Sequence, residues 1–430
     1  MAHFSLPWYY MSVAQKRRLL IKHASQTTLD LLGEVREVCR MCQEQLSPVH
    51  GNTQVRDPSV LGLLLCSFFE PYVRSQRLMD QFSTVPNIQE TLAERRVAKS
   101  TLSDAIRRFN TASLPHIVRL LRRRMSTAHG TEGELAGVMQ TIAQDGTSIR
   151  LAGDVAWALR RRRDAGGRMD SQAKVHLQVN VHRWTLEDFR VTGRHDSSEQ
   201  AAMQKMTLTA GTLYLMDRGY CGFALYTLLL EKGCHFVARL KKDLVFRPVQ
   251  DRVLSPKDIA QGVQSDQVGY LGLADEDYNP ANGKRIPPPT QLLRRVRVWD
   301  PLNHKTVILI TDLLDVQAWV IGGLYRSRWV VELYLRWLKI TAGYAHMPTK
   351  CRNGIELQMY VALIGTLLIY LHTQAPVSKY SLMALGMVAS GRATYAQMLP
   401  GILRLEREKM LAKARLARKK AEAAMKKPVR

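Results

Sequence analysis

In the stretch YRSRWVVELYLRWLK, residues 325–339, a single carboxylate, Glu332, stands among one lysine, three arginines and two tryptophans. At the α-helical turn of about 100° per residue, Tyr325, Arg328, Glu332 and Lys339 fall within an arc of about 60°. Val330, Val331, Tyr334, Trp337 and Leu338 cover the opposite side, so the spacing predicts an amphipathic helix with its acid on the polar face. Two readings of that face stand at this point. One is a solvated surface carrying an Arg328–Glu332 ion pair at i,i+4. The other is chemical, and it requires further acids from elsewhere in the chain.

Two such acids close apolar, strand-like runs: Asp145 in VMQTIAQDG and Asp217 in TLYLMDRGY. Metal-assisted cutting or joining of DNA needs two or three carboxylates converging on one point, because two divalent ions about 4 Å apart must be held by oxygen ligands. Asp145 and Asp217 at the ends of neighbouring strands, with Glu332 projecting from a helix packed on that sheet, would meet this need. Three acids gathered together repel one another unless a cation offsets their charge, and such crowding points to function.

The elements that must position these acids follow from periodicity. Residues 1–130 read as a mostly helical domain. Within them, IQETLAERRVAKSTLSDAIRRF predicts two short helices and a tight turn, with Ser100 as N-cap and Leu102, Ile106 and Phe109 facing inward. Thr101, Ser103, Arg107 and Arg108 are left to face outward. A helix-turn-helix reader of DNA fits this pattern, and so does any helical hairpin in a basic protein. From residue 138 the pattern changes to strands. Asp145 ends one, TSIRL follows as its hairpin partner, and AKVHLQVNVH is a third alternating run. FALYTLLLEKG then reads as a helix and CHFVARLKK as a strand. Residues 244–303 break the alternation with the loop DEDYNPANGKRIPPP and the strand-like LLRRVRVWD, and are read as a β-rich insertion. KTVILITDLL resumes the strand pattern, and AWVIGGLYRSRWVVELYLRWLK is one helical stretch.

Composition narrows the partners. Of 430 residues, 46% are hydrophobic, which argues for a folded chain rather than a disordered one. The 62 Lys+Arg against 37 Asp+Glu give a formal net charge of +25, so a polyanion is the expected partner, nucleic acid first and an acidic membrane surface second. The most apolar run, MYVALIGTLLIYL, is shorter than the roughly 20 residues that span a bilayer and reads as a buried helix. No export signal is visible. The six cysteines are scattered, as in a reduced intracellular protein, and the Cys39–Cys42 pair reads as one helical turn rather than a zinc site. The segment from Arg404 to Arg430 holds 11 Lys+Arg and three Glu, and reads either as a tail that follows a phosphate backbone or as a solvated terminus.

The pattern Y-x2-R-x3-E-x6-K formed by Tyr325, Arg328, Glu332 and Lys339 resembles the signature of bacterial insertion-sequence DDE transposases of the YREK group. DGT at Asp145, MDRGY at Asp217 and NGIELQMYVALIGTLL after the signature look like what that group carries at the corresponding places, and the similarity spans roughly residues 85 to 375. The resemblance implies an α/β fold. It has a ribonuclease-H-like mixed-sheet core (138–243 and 304–375) interrupted by the β insertion, a helical DNA-binding domain before it, and a helical C-terminal region (376–430) with a basic tail. It also implies that Asp145, Asp217 and Glu332 hold two Mg²⁺ ions, for which Mn²⁺ can substitute. Tyr325, Arg328, Lys339 and Arg218 of MDRGY are expected to contact DNA. Arg forks to phosphate oxygens, Lys supplies a point charge and Tyr a hydroxyl donor.

The implied reaction is Mg²⁺-dependent hydrolysis at the ends of an insertion sequence, followed by strand transfer, with a hairpin route in which a flipped base stacks on an aromatic residue of the insertion. Trp299 is the candidate for that stacking, with a core position as the alternative. The implied partners are double-stranded DNA, both transposon ends and target, and a second copy of the chain in a synaptic homodimer, without a membrane. The expected location is the cytoplasm, at the nucleoid. Asp154 and Asp312 are set aside as catalytic acids. His195 with Asp196 reads as structural or near the site, and Arg160–Arg163 as a phosphate contact or a solvated loop. Rival readings are a non-catalytic basic nucleic-acid-binding protein and a nuclease or resolvase on the same core.

Overall fold

A computed structural model describes residues 30–45, 55–70, 72–128, 139–151, 155–162, 169–194, 198–241, 244–272, 288–301, 303–344, 349–373, 377–389, 392–394 and 396–405, with a few isolated positions beyond them. Two compact units emerge. The described residues from 139 to 340 and from 349 to 359 belong to one, and the helices before residue 130 and after residue 360 belong to the other.

The first unit is built on a ten-stranded mixed sheet. Its first part in the chain, β1 (Thr141–Leu151), β3 (Met169–Asn180), β4 (Leu186–Thr192), β5 (Leu213–Met216) and β6 (His235–Arg239), has the order β4-β3-β1-β5-β6. Only β3 runs against the others, since β1 is antiparallel to β3 but parallel to β5, and β5 is parallel to β6. That is the ribonuclease-H-like arrangement. Every residue of LYLM in β5 is buried, as a strand covered on both faces requires. The short β2 (Leu159–Arg162) lies beside the start of β3.

The insertion does not stand apart as a separate sheet. β7 (Val245–Asp251), β8 (Val263–Gly272) and β9 (Leu293–Asp300) form an antiparallel meander that joins β10 (Lys305–Thr311), and β10 pairs with β6. Its anchor is buried: Arg294 forks to Asp266 at 2.8 and 2.7 Å and donates to the Leu313 and Leu314 carbonyls, also reaching that of Val316. The loop at 275–287 lies outside the described residues.

Three local expectations are corrected. Asp-Gly at 145–146 reads as a turn, yet β1 runs unbroken through it, paired with β3 from Ile142 to Leu151. Glycine is there for close approach instead: a Cβ on Gly146 would lie 3.1 to 3.3 Å from Tyr220 Oη, His176 Nδ1 and Lys174 Cε. The arginine run is not a loop up to Arg162, because pairing with residues 169–172 of β3 makes Leu159–Arg162 a strand. The signature stretch is two helices, α10 (Ala318–Ser327) and α11 (Trp329–Ile340), in chain order after α7 (Glu199–Gln204), α8 (Phe223–Glu231) and α9 (Pro256–Ala260). At the junction Arg328 N–H donates to Tyr325 O and Val331 N–H to Arg328 O, i to i+3 bonds that tighten the turn. α11 buries Val330, Val331, Tyr334, Leu335, Trp337 and Leu338, the face expected from the sequence, against β1 and β3.

The second unit is helical: α1 (Leu31–Glu44), α2 (Asp57–Phe69), α3 (Gln76–Phe82), α4 (Pro86–Leu92), α5 (Lys99–Arg108), α6 (Leu114–Ala128), residues 360–373 of α12 (Arg352–Thr373), and α13 (Lys379–Ala389). Leu102, Ile106 and Phe109 are buried as expected. Ser100 is not the N-cap, because α5 begins at Lys99, whose N–H donates to Asp80 of α3 at 3.1 Å. Cys39 and Cys42 share one turn of α1, and burial pushes their thiols up to about 12 and 11. α12 is longer than its apolar core suggested. Its length and composition would suffice to cross a membrane, but 78% of its apolar window is buried within the protein, as in a core helix.

Candidate active site

Asp145 and Asp217 owe their proximity to strand register. β1 and β5 run parallel with Gln144 beside Met216, so the next residue on each strand is an aspartate. Asp145 therefore lies within its strand and Asp217 at the end of its own, at neighbouring positions. Asp217 caps the 3-10 turn Arg218–Tyr220, accepting from Arg218 N–H at 2.8 Å.

Glu332 comes from the first turn of α11, which packs across β1 and β3. Arg328, one turn earlier, joins the acids: its Nη2 donates to Glu332 Oε1 at 2.5 Å, and its Nη1 lies 3.6 Å from Asp145 Oδ2. Tyr325 O–H donates to Asp217 Oδ1 at 3.3 Å, and its ring lies 5.8 Å from the Arg328 guanidinium carbon. Tyr325, Arg328 and Glu332 thus converge on the two aspartates. Lys339 is half-buried within electrostatic reach of Asp145.

The electrostatics show the strain of this gathering. Burial, joined by the Glu332 and Asp217 carboxylates, pushes Asp145 up to about 6, although the Gly146 N–H and Arg328 pull the other way. Burial also pushes the Tyr325 hydroxyl up to about 12, with Asp217 adding to it. Burial works against the charge on Arg328, but Tyr325 and the three acids outweigh it and hold its protonation above the ordinary arginine range. Lys339 is lowered by burial, with Asp145 opposing. Arg328 Nε is buried without a hydrogen-bond partner, although the rest of the guanidinium is engaged.

Among the described residues, no three acids, histidines or cysteines already stand close enough to hold a metal ion. The donor chemistry nonetheless fits a hard divalent cation. Three carboxylates offer oxygen ligands, burial and then their mutual repulsion raise Asp145, and the positive charge between Asp145 and Glu332 is now supplied by Arg328.

Other candidates fall elsewhere. Trp299 is 38% exposed on β9 of the insertion and is not a core residue. Its ring meets His304 edge-on, 6.5 Å between centroids. Arg218 is exposed beside Asp217, while Arg107 and Arg108 are exposed at the end of α5 in the helical unit, where Arg108 donates to Val55 O at 3.0 Å. Asp312 is engaged structurally, accepting from Phe236 N–H at 2.8 Å and lying 2.6 Å from His235 Nδ1. Asp154, Arg163, His195 and Asp196 lie outside the described residues, as does most of the basic tail.

The sequence reading did not single out His176, Lys174 or Glu199, which surround the backbone next to the two aspartates. Only Tyr220, inside MDRGY, carried a local signal.

A family model described as "Transposase DDE domain" matches residues 136–368, more than half of the chain. The chain belongs to that family. The match covers all of the strands and both helices that bring Asp145, Asp217 and Glu332 together. The chain is also similar to "Putative transposase y4zB" of Sinorhizobium fredii, 27% identical over 223 residues, which cover 51% of this chain and 57% of the relative. A second relative, "Probable transposase for insertion sequence element IS5377" of Geobacillus stearothermophilus, is 27% identical over 212 residues, 48% of this chain and 50% of the relative. The chain thus spans about half the length of the curated relatives that it matches. The family match and both relatives place the chain among the DDE transposases of insertion sequences.

Proposed function

We propose that this transposase binds the terminal inverted repeats of an insertion sequence and performs cleavage and strand transfer there, with Asp145, Asp217 and Glu332 as its catalytic acids. The observation that carries the reading is their convergence: two aspartates at neighbouring positions of a parallel strand pair, bridged to the signature helix through Arg328 and Tyr325. No surface helix needs that arrangement.

In this reading Asp145, Asp217 and Glu332 hold two Mg²⁺ ions, for which Mn²⁺ can substitute. Bound there, divalent ions would supply Lewis acidity toward a phosphodiester. The protein's own groups do the rest. Arg328, with an unpartnered buried Nε, and Lys339 receive phosphate oxygens, and Tyr325 offers its hydroxyl where Asp217 now accepts it. Arg218 extends the cationic rim, and exposed Trp299 offers a face for a base displaced during a hairpin route.

The domain plan follows: residues 1–130 grip the ends, with Arg107 and Arg108 facing DNA. Residues 138–243 and 304–375 form the catalytic core, 244–303 the β insertion, and 376–430 a helical region with a basic tail. Two ends must meet for transposition, so a homodimer forms the synaptic complex, in the cytoplasm at the nucleoid.

The test is cleavage of supercoiled plasmid carrying the element's ends in Mg²⁺, comparing the intact protein with Asp217→Ala and Glu332→Ala. Both variants are expected to bind the ends and leave them uncut. Cutting at the intact protein's rate by either variant would remove the assignment and favour a binder whose acids are ordinary surface residues. Cutting without transfer would instead favour a nuclease or resolvase on the same core.

A further inference from the structure

Behind the acids lies a buried polar chain that none of the proposed roles uses. Tyr220 and His176 are 1% and 0% exposed, and Tyr220 Oη lies 3.2 Å from His176 Nδ1. His176 Nε2 lies 3.0 Å from Thr192 Oγ1, which donates to the Lys174 carbonyl at 3.3 Å. One proton arrangement satisfies every member: Tyr O–H donates to Nδ1, Nε2–H donates to Thr192, and Thr192 donates to the backbone. A buried tyrosine hydroxyl needs such a partner, and the ring is held by it.

The chain touches both acid-bearing segments at the residues next to the acids. His176 stands directly opposite Gly146 in the β1–β3 register, and Tyr220 Oη would lie only 3.1 Å from a Cβ on Gly146. Tyr220 itself closes the turn capped by Asp217. Alongside, Lys174 Nζ pairs with Glu199 Oε1 at 2.7 Å, and the other Glu199 oxygen sits against Gly219, where a Cβ would lie 1.5 Å away. The backbone after Asp145 and the backbone after Asp217 are therefore clamped to each other.

We infer that Tyr220 and His176, supported by Thr192 and the Lys174–Glu199 pair, are positioning residues that set the spacing of Asp145 and Asp217 and with it the protein's affinity for divalent metal. The inference rests on the reading of those acids as metal ligands. Groups behind a ligand shell typically change metal affinity by about 10- to 100-fold when removed.

The experiment is calorimetric titration of Mn²⁺ into the intact protein, Tyr220→Phe, Thr192→Val and Asp145→Asn, alongside thermal midpoints and DNA-end binding in EDTA. Phenylalanine keeps the ring and removes only the hydroxyl. Tyr220→Phe is expected to fold and to bind ends in EDTA like the intact protein, yet to bind Mn²⁺ at least about tenfold more weakly. Thr192→Val breaks the same chain farther from the acids, and a smaller loss is expected; it also serves should Tyr220→Phe not fold. Unchanged Mn²⁺ affinity in the folded variants overturns the inference. If the intact protein and Asp145→Asn bind Mn²⁺ alike, the metal-ligand reading itself fails, which is a different result.

Discussion

Replacing Asp145 by asparagine should stabilise the metal-free protein at alkaline pH and leave it almost unchanged in acid. The Asp145 carboxyl is pushed from its ordinary 3.8 up to about 6, by burial first and by Glu332 and Asp217 in addition. Because its affinity for a proton is raised on folding, its stabilising contribution is complete below about pH 3.8 and is lost as the pH rises through about 6. The interval of roughly two pH units, at about 1.4 kcal/mol each, amounts to about 3 kcal/mol of destabilisation once the carboxylate is ionised. The side chain is 25% exposed, so solvent screens this only in part. Asparagine has the shape of the protonated acid without its titration. In EDTA, calorimetry should therefore place the unfolding of the catalytic unit about 6–12 °C higher for Asp145→Asn than for the intact protein at pH 8, with little difference at pH 4. Equal midpoints at pH 8, or the same offset at both values, would refute the account of Asp145 as a buried carboxyl whose ionisation destabilises the fold.

Removing Arg294 with alanine leaves Asp266 as an uncompensated charge in the insertion, where the two side chains are 2% and 5% exposed. A loss on the order of 3–5 kcal/mol is expected, read as a lower denaturant midpoint. Lys339→Ala should weaken binding to transposon ends and lower the slope of log affinity against log salt by about one, as loss of one phosphate contact predicts. An unchanged slope in filter binding would show that Lys339 touches no phosphate.

The sequence by itself determined the types and spacing of the chemistry. Glu332 and Lys339 on one side of α11, and its buried face from Val330 to Leu338, follow from helical periodicity, whereas Tyr325 lies on α10 and Arg328 at the junction. The burial of β5 before Asp217 follows from its unbroken apolar run. These are local properties, set by neighbours within a few residues. Tertiary structure decided the rest. Asp-Gly is a turn signal by local preference, and only the long β3 partner and the walls around Gly146 hold it in a strand. The register that sets Asp145 beside Asp217 is a contact between residues some seventy positions apart, which no periodicity encodes. The clamp of Tyr220, His176 and Glu199 and the anchoring of the insertion by Arg294 share that property. Their partners lie on different elements, and only chain packing brings them within hydrogen-bond reach.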